Sequence, residues 1–173
     1  RSRLQNQNAF ILGVPGSGKS FAAKREIALT TLGDDADIII IDPEREYSPL
    51  VKSLGGQVIE ISDNSKSHIN PLDINEEYSE GASPYAFKSN FLMSLLELIM
   101  SDQALPPKKK SIIDRCTILT LQDYVQSGYT SRVPTLKDFH RVLKAQEEVE
   151  AQEMALEMEF FTTGTLSTFA HET

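Results

Sequence analysis

Residues 13–20 place two glycines, a lysine and a hydroxyl side chain at the spacing G-x-x-x-x-G-K-[ST]. Glycine allows backbone conformations that a side chain would forbid, so successive N–H groups can turn inward and form a concave anion site. At this spacing Lys19 reaches the β- and γ-phosphates of a nucleoside triphosphate, and the Ser20 hydroxyl binds Mg²⁺. The pattern therefore predicts a site for a nucleoside triphosphate and Mg²⁺ in which Lys19 is catalytic. The residues predicted to bind the nucleotide are Pro15, Gly16, Ser17, Gly18, Lys19, Ser20 and Phe21.

The segments on either side of this loop match those that position a phosphate site. The apolar residues 9–12 predict a short buried strand before the loop, and residues 21–29 predict a helix after it. Phe21, Ile27 and Ala28 fall on one side of that helix. The positive end of the helix dipole would then lie beside the phosphates. A glycine-rich turn that only joins a strand to a helix is the alternative interpretation.

An acidic segment follows the next apolar run, residues 38–41. In the first of three interpretations this run is a Walker B strand, with Asp42 holding Mg²⁺ through water and Glu44 orienting the attacking water. In the second, the segment is an auxiliary acidic loop that supports the site from a distance. In the third, Asp42 precedes Pro43 only because Asp-Pro begins turns well. The metal ligands predicted here are Ser20 and Asp42, and Glu44 is the second predicted catalytic residue.

The first third of the chain predicts an α/β fold. Its continuous apolar run of β-branched residues is typical of a strand that is covered on both faces, as in a parallel sheet. Residues 47–54 predict a short helix that ends at Gly55 and Gly56, and residues 57–61 predict a third strand. Right-handed crossovers would place the carboxyl ends of these parallel strands on the side of the phosphate loop.

Beyond residue 74 every periodic segment predicts a helix. The first predicted helix begins near Ser83, the second at Pro106 and Pro107, and the third at Thr135 with a capping-box pattern. We therefore predict a nucleotide-binding core over residues 1–74, a helical insertion over 75–160 and a return to the core over 161–173. The residues predicted to form the apolar stripe of the first helix are Phe87, Phe91, Leu95, Leu98 and Ile99.

Composition excludes several other classes of function. The net charge of −8 argues against a broad basic surface for duplex DNA or anionic lipid. No run of eighteen apolar residues and no apolar leader at Arg1 is present, so we expect a chain that neither spans nor crosses a membrane. The single cysteine, Cys116, is consistent with a reducing cytoplasm. The spacing of His68, His140 and His171 does not suggest a metal site.

Together, five segments give the chain a family resemblance: residues 13–20, 42–47, 54–56, 69–72 and 169–173. In these segments it resembles the conjugative-transfer ATPases of type IV secretion systems, of the TraE/TraC or VirB-four type. The combination of D-P-E-x-E-Y with I-N-P-L is much more specific than the phosphate loop alone. The resemblance covers most of residues 8–72 and about the last ten residues.

This resemblance implies a partial RecA-like P-loop ATPase domain with an all-α insertion after the third strand. It implies a homo-hexamer at the cytoplasmic face of the bacterial membrane, in contact with other secretion-channel subunits. ATP hydrolysis would energise channel or pilus assembly and DNA transfer, and no sequence-specific nucleic-acid binding is expected. In the family the Walker B strand follows the point that corresponds to Thr173, so we expect this chain to bind nucleotide weakly and to hydrolyse it poorly by itself.

Two other classes of protein fit part of the sequence. A small-molecule kinase or GTPase could use the same loop with Asp42 as the Mg²⁺ ligand, although no N-K-x-D guanine signature is present. A non-catalytic interaction module could instead dock a partner through residues 83–161 and retain a vestigial loop. Titration with ATP and with GTP in the presence of Mg²⁺ distinguishes these classes.

Overall fold

The computed structural model describes residues 8–33, 36–62, 65, 67–76, 83–100 and 104–173. The chain divides into two compact units, Arg1–Val58 and Ile59–Thr173. The division that composition predicts, between residues 74 and 75, stays a prediction, and residues 77–82 just beyond it lie outside the described part. None of the described helices has the length and apolar character needed to cross a membrane.

The first unit contains two helices, α1 (Lys19–Gly33) and α2 (Ser48–Ser53). Proline near the start of α2 suits a helix because its missing N–H would have no partner in the first turn. Helix α2 ends where the Gly55 N–H donates to the Lys52 carbonyl, with Gly55 at φ +76°. Both helices form where the sequence predicts them.

The predicted parallel sheet is wrong, because the described residues contain no β-strand. Residues 9–12, 37–41 and 57–61 are irregular and have no strand beside them. Most of their side chains are also exposed: Phe10 is 90% exposed and Ile41 is 93% exposed, while Ile40 is half-buried. An apolar run becomes a strand only where a neighbouring strand pairs with its N–H and C=O groups and another layer covers its side chains. Neither condition is met here, so the RecA-like α/β fold is not seen.

The second unit is helical and has a continuous core. It consists of α3 (Pro84–Ile99), α4 (Pro107–Gln126), α5 (Leu136–Lys144), α6 (Val149–Thr162) and a 3₁₀ turn, Ser167–Phe169. Helix α4 packs against α3, α5 and α6, and α5 also packs against α6. The largest fully buried side chains of the core include Leu72, Ile74, Leu92, Leu96, Ile113, Leu121, Leu136, Phe139, Leu143, Met154 and Met158.

Helix α3 packs with a different face from the one that its apolar spacing predicts. Leu95 and Ile99 of the predicted stripe are half-buried and pack against the core, but Phe87, Phe91 and Leu98 are exposed. The residues buried instead are Lys88, Ser89, Leu92 and Leu96. The α5 prediction is confirmed, since Leu136, Phe139 and Leu143 are buried, and Thr135 with Asp138 forms the predicted capping box.

A polar turn at residues 70–73 forms hydrogen bonds with the segment before α5 and with α3, and the adjacent Ile74 bonds to α4. The Asn70 side chain donates to the Pro134 carbonyl (2.9 Å) and accepts from the Leu72 N–H (3.1 Å). The Lys88 ammonium of α3 donates to the Pro71 carbonyl (2.9 Å), and the Tyr124 hydroxyl of α4 donates to the Ile74 carbonyl (3.1 Å). Because Asn70 and Lys88 are buried, these bonds fix how α3 and α4 pack.

Candidate nucleotide-binding site

The glycine-rich loop of residues 13–18 is curled at the start of α1. Gly16 and Gly18 have φ of +79° and +86°, a region that side chains strongly disfavour. The Ser17 N–H donates to the Val14 carbonyl at 3.1 Å and closes the turn. A Cβ atom at Gly13 would overlap the Ser17 Oγ, so the loop passes close to its own first residue. The sequence therefore places glycine where this backbone requires it.

Lys19 is held against the loop. Its ammonium group donates a hydrogen bond to the Val14 carbonyl oxygen, 3.1 Å away. A phosphate oxygen is a stronger acceptor for an ammonium group than a neutral carbonyl is, because both partners are then charged. When a nucleotide binds, the Lys19 ammonium group would give up its hydrogen bond to the Val14 carbonyl and donate to a phosphate oxygen instead.

The other residues predicted to bind nucleotide lie in the same short segment. Pro15, Gly16, Ser17, Gly18 and Ser20 are exposed, and Lys19 is half-buried. The backbone N–H groups of Gly16, Gly18, Lys19 and Ser20 are close to the amino-terminal end of α1, where an anion is stabilised by the helix dipole. Phe21 is 74% exposed, whereas Ile27 and Ala28, predicted to share its side of α1, are half-buried.

Asp42 organises the acidic loop that follows the second apolar run. Its Oδ2 accepts a hydrogen bond from the Tyr47 N–H at 2.8 Å, and its carbonyl accepts from the Arg45 N–H at 3.4 Å. The Tyr47 ring lies 5.2 Å from the Lys24 ammonium of α1, a cation–π distance that connects this loop to the helix. These bonds match the interpretation of Asp42 as a turn residue and leave its Oδ1 without a hydrogen bond in the described structure.

The predicted catalytic and metal residues are only partly brought together. Glu44 is exposed on the turn, and neither Asp42 nor Glu44 contacts Lys19 or Ser20 through a hydrogen bond or ion pair within the described residues. The described residues also contain no cluster of three or more His, Cys, Asp or Glu side chains that could hold a metal. Mg²⁺ usually needs only one or two protein carboxylates, because phosphates and water supply its other ligands. The assignment of Ser20 and Asp42 as metal ligands stays a prediction.

The second unit contains a partly open cavity of its own. It has a volume of about 190 Å³, lies between α4 and α5, and contains none of the predicted site residues. Arg132 and Arg141 line it, and both form ion pairs with Asp138 (2.6 and 2.9 Å). Burial alone would raise the pKa of Asp138, but hydrogen bonds from Thr135 and Arg132 outweigh it and hold that pKa below its usual value. Arg132 also pairs with Glu172 (3.2 Å), so both arginines of the cavity are already engaged by carboxylates.

The three histidines do not form a metal site within the described chain. The His68 and His171 rings stack with their centroids 4.6 Å apart, a contact across about a hundred residues that the sequence did not predict. Burial lowers the pKa of His171, and the neighbouring Lys137 and His68 lower it further. His140 is buried, with Nε2 2.9 Å from the Ala155 carbonyl oxygen. All three histidines therefore have packing roles.

Sequence reasoning missed the roles of two polar residues. In the sequence Asn70 stands out only as part of the I-N-P-L segment, and Lys88 lies beside a predicted apolar stripe. The sequence signal for the role of Asn70 is that Asn-Pro commonly begins a turn. Burial lowers the pKa of Lys88, and Asp73 opposes that effect.

Comparison with protein families adds independent information. A family model described as the helicase HerA central domain (DUF87) matches residues 3–157, which is most of the chain. Searches of curated proteins and of solved structures gave no match. The match includes both the glycine-rich loop and most of the helical unit. This chain therefore belongs to the HerA central-domain family, a family of P-loop ATPases.

Proposed function

We propose that this chain is the ATP-binding part of a motor that energises substrate transfer through a conjugative or type IV secretion channel. The observation that carries the proposal is the loop of residues 13–18, with Gly16 and Gly18 at positive φ and Lys19 folded against it. Membership of the HerA central-domain family supports the ATPase class. The segments that resemble conjugative-transfer ATPases support the transfer role.

The proposed chemistry is phosphoryl transfer to water. The loop N–H groups and Lys19 bind the phosphates, Ser20 and Asp42 bind the metal, and Glu44 orients the attacking water. Mg²⁺, when bound, neutralises charge on the phosphates. Most of the rate enhancement in this reaction comes from positioning and charge neutralisation, so a displaced carboxylate lowers the rate by orders of magnitude. Since Glu44 and Asp42 do not contact Lys19 or Ser20, we propose that the chain alone binds nucleotide weakly and hydrolyses it slowly.

The assembly and location are part of the same proposal. The whole protein would act as a homo-hexamer at the cytoplasmic face of the bacterial membrane, in contact with other channel subunits. Sedimentation velocity with and without ATP tests the hexamer. Fractionation of cells that express the gene tests the location.

Isothermal titration with ATP and with GTP at saturating Mg²⁺ tests the nucleotide site. We expect ATP to bind more tightly than GTP, and Lys19→Ala to abolish the binding because it removes the ammonium group that meets the phosphates. Lys52→Ala, which removes an exposed lysine from α2, is the matched control and should bind normally.

Three outcomes would contradict the proposal. A preference for GTP would favour a switch or kinase, and no binding of either nucleotide would favour a non-catalytic module. Rapid hydrolysis by the unmodified chain, lost in Lys19→Ala, would show that Asp42 and Glu44 already suffice for turnover.

A further inference from the structure

Helix α6 has apolar side chains on two opposite faces. Its inner face contributes Ala151, Met154, Ala155, Met158 and Thr162 to the core. On the side turned away from the core, Val149 and Leu156 are each 69% exposed and Phe160 is 50% exposed. Spacings of seven and four residues place these three side chains in one line along the helix.

This outward line contrasts with the exposed side of α5. Helix α5 belongs to the same unit, and its exposed residues are Lys137, Arg141 and Lys144, as expected for a surface helix. Single exposed apolar residues are common on proteins, but aligned ones mark an interaction surface more often. We call Val149, Leu156 and Phe160 with the adjacent Glu153 and Glu157 the α6 outer face.

Charge on the α6 outer face indicates the kind of partner. Glu153 lies between Val149 and Leu156 in the line, and Glu157 follows one turn later on the same flank. Neither carboxylate forms an ion pair in the described structure. By contrast, Glu148, Glu150 and Glu159 are paired with Arg115, Lys108 and Lys144 of their own unit. Two carboxylates beside the apolar line are therefore available to a cation from outside.

We propose that the α6 outer face binds an amphipathic helix of another protein, whose apolar stripe is flanked by lysine or arginine. The apolar line would bury the partner's stripe, and Glu153 and Glu157 would pair with its cations. Charge complementarity favours this partner over an acidic helix, because two like-charged rows would repel when they are brought together. The proposal does not depend on the nucleotide site.

The exposed residues of α3 provide an internal control. Phe87, Phe91 and Leu98 also form an exposed apolar line. The one acidic residue of α3, Glu97, is already engaged by Lys110 and by the Leu105 N–H. If apolar exposure alone attracted a basic helix, α3 would bind it as well as α6 does.

The test uses the full chain and three labelled synthetic peptides of roughly 18 residues, long enough to form a helix in water. The first peptide has a leucine stripe flanked by lysine, the second has glutamate in place of lysine, and the third has the first peptide's residues in scrambled order. We expect fluorescence anisotropy to show binding of the first peptide only. Leu156→Ser and Glu153→Lys should each weaken that binding about tenfold, because each removes one buried contact or charge pair. Leu98→Ser should leave it unchanged.

Both test positions are exposed, so the variants should fold, and circular dichroism checks this directly. Equal binding of the lysine and glutamate peptides, or of the scrambled peptide, would overturn the proposal. An equal effect of Leu98→Ser would also overturn it. So would sedimentation velocity showing that the chain self-associates through α6, with the association lost in Leu156→Ser, because the occupant would then be a second copy.

Discussion

The two units of this chain differ in what holds them together. In the first unit, Arg1–Val58, no described residue is buried, although it carries Phe10, Leu12, Phe21 and several isoleucines. In the second unit, Ile59–Thr173, four helices enclose a continuous core. Burial of apolar surface is the main stabilising term in folding. The second unit therefore supplies most of the free energy of unfolding, and the first unit carries the candidate nucleotide-binding loop.

This difference explains why a sequence motif such as the glycine-rich loop is easier to recognise than the packing. The glycine-rich loop depends on residue types at fixed spacing within eight positions, so it is recognisable wherever it occurs. The core of the second unit depends on contacts between residues that are far apart in the chain. Functional residues are commonly found on such loops, while the packed elements provide stability.

The largest expected difference between the units is in the cost of losing a phenylalanine. Phe139 is fully buried in the second unit, whereas Phe21 in the first unit is 74% exposed. Phe139→Ala should lower the free energy of unfolding by about 3–5 kcal/mol, from lost burial and the cavity left behind. Phe21→Ala should change it by less than about 0.5 kcal/mol. Urea denaturation followed by far-ultraviolet circular dichroism measures both values.

The reactivity of the single cysteine is a second way to compare how the two units are packed. Cys116 is buried in the second unit, and burial raises the pKa of its thiol to about 11. A thiol reagent at pH 8 should label the native chain slowly, because little thiolate is present and the sulfur is covered. Phe139→Ala should accelerate labelling and Phe21→Ala should not. Similar acceleration by both variants would show that the units share one core.

A smaller effect is expected from the polar turn of the second unit. Asn70→Ala removes the side-chain bonds to Pro134 and Leu72 at a buried position. Leaving those groups without partners should cost about 1–3 kcal/mol of unfolding free energy. Asn75→Ala, at an exposed position five residues later, is the control and should be nearly neutral. Equal urea midpoints for the two variants would mean that the turn does not stabilise the packing.

A substitution in the glycine-rich loop should affect ATP binding without affecting the stability of the fold. Gly18 has φ of +86°, and Gly33 at the end of α1 does not have a positive φ. An alanine at position 18 strains the loop by about 1–2 kcal/mol, so Gly18→Ala should weaken ATP binding about tenfold. It should leave the urea midpoint unchanged, because the first unit contributes little to it. Gly33→Ala should affect neither measurement. A midpoint that falls with Gly18→Ala would show that the loop contributes to folding.

Particular residues show where sequence reasoning succeeds and where it stops. Helix α4 begins at Pro107 and is followed by Gly128 at φ +66°, as local signals predict, and Thr135 begins α5 as its capping box indicates. Such signals act within a few residues of one another. The face that α3 buries depends on Lys88 bonding to the Pro71 carbonyl, a contact between separate segments that helical periodicity cannot reveal.

The failed prediction of strands has a related cause. Residues 38–41 have the composition of a buried strand, but a strand also needs hydrogen-bonded neighbours, and composition says nothing about those. The sequence likewise predicted that Asp42 and Glu44 approach Lys19 on the assumption of a sheet. The described residues lack that sheet, so the basis for this approach is gone, and the roles of Lys19, Asp42 and Glu44 stay predictions.

The smallest predicted effect is a pH dependence that belongs to the second unit alone. Asp138 has a pKa below its usual value because bonds from Thr135 and Arg132 stabilise the carboxylate against the cost of burial. A carboxyl whose pKa is lower in the folded state stabilises the fold above its unfolded pKa of about 3.9, and that stabilisation is lost as pH falls through the folded value. The urea midpoint should therefore drop below about pH 4, and Asp138→Asn should make that drop shallower. Asp114→Asn, on the exposed side of α4, should retain the wild-type slope. Identical slopes for both variants would mean that the Asp138 network is not coupled to folding.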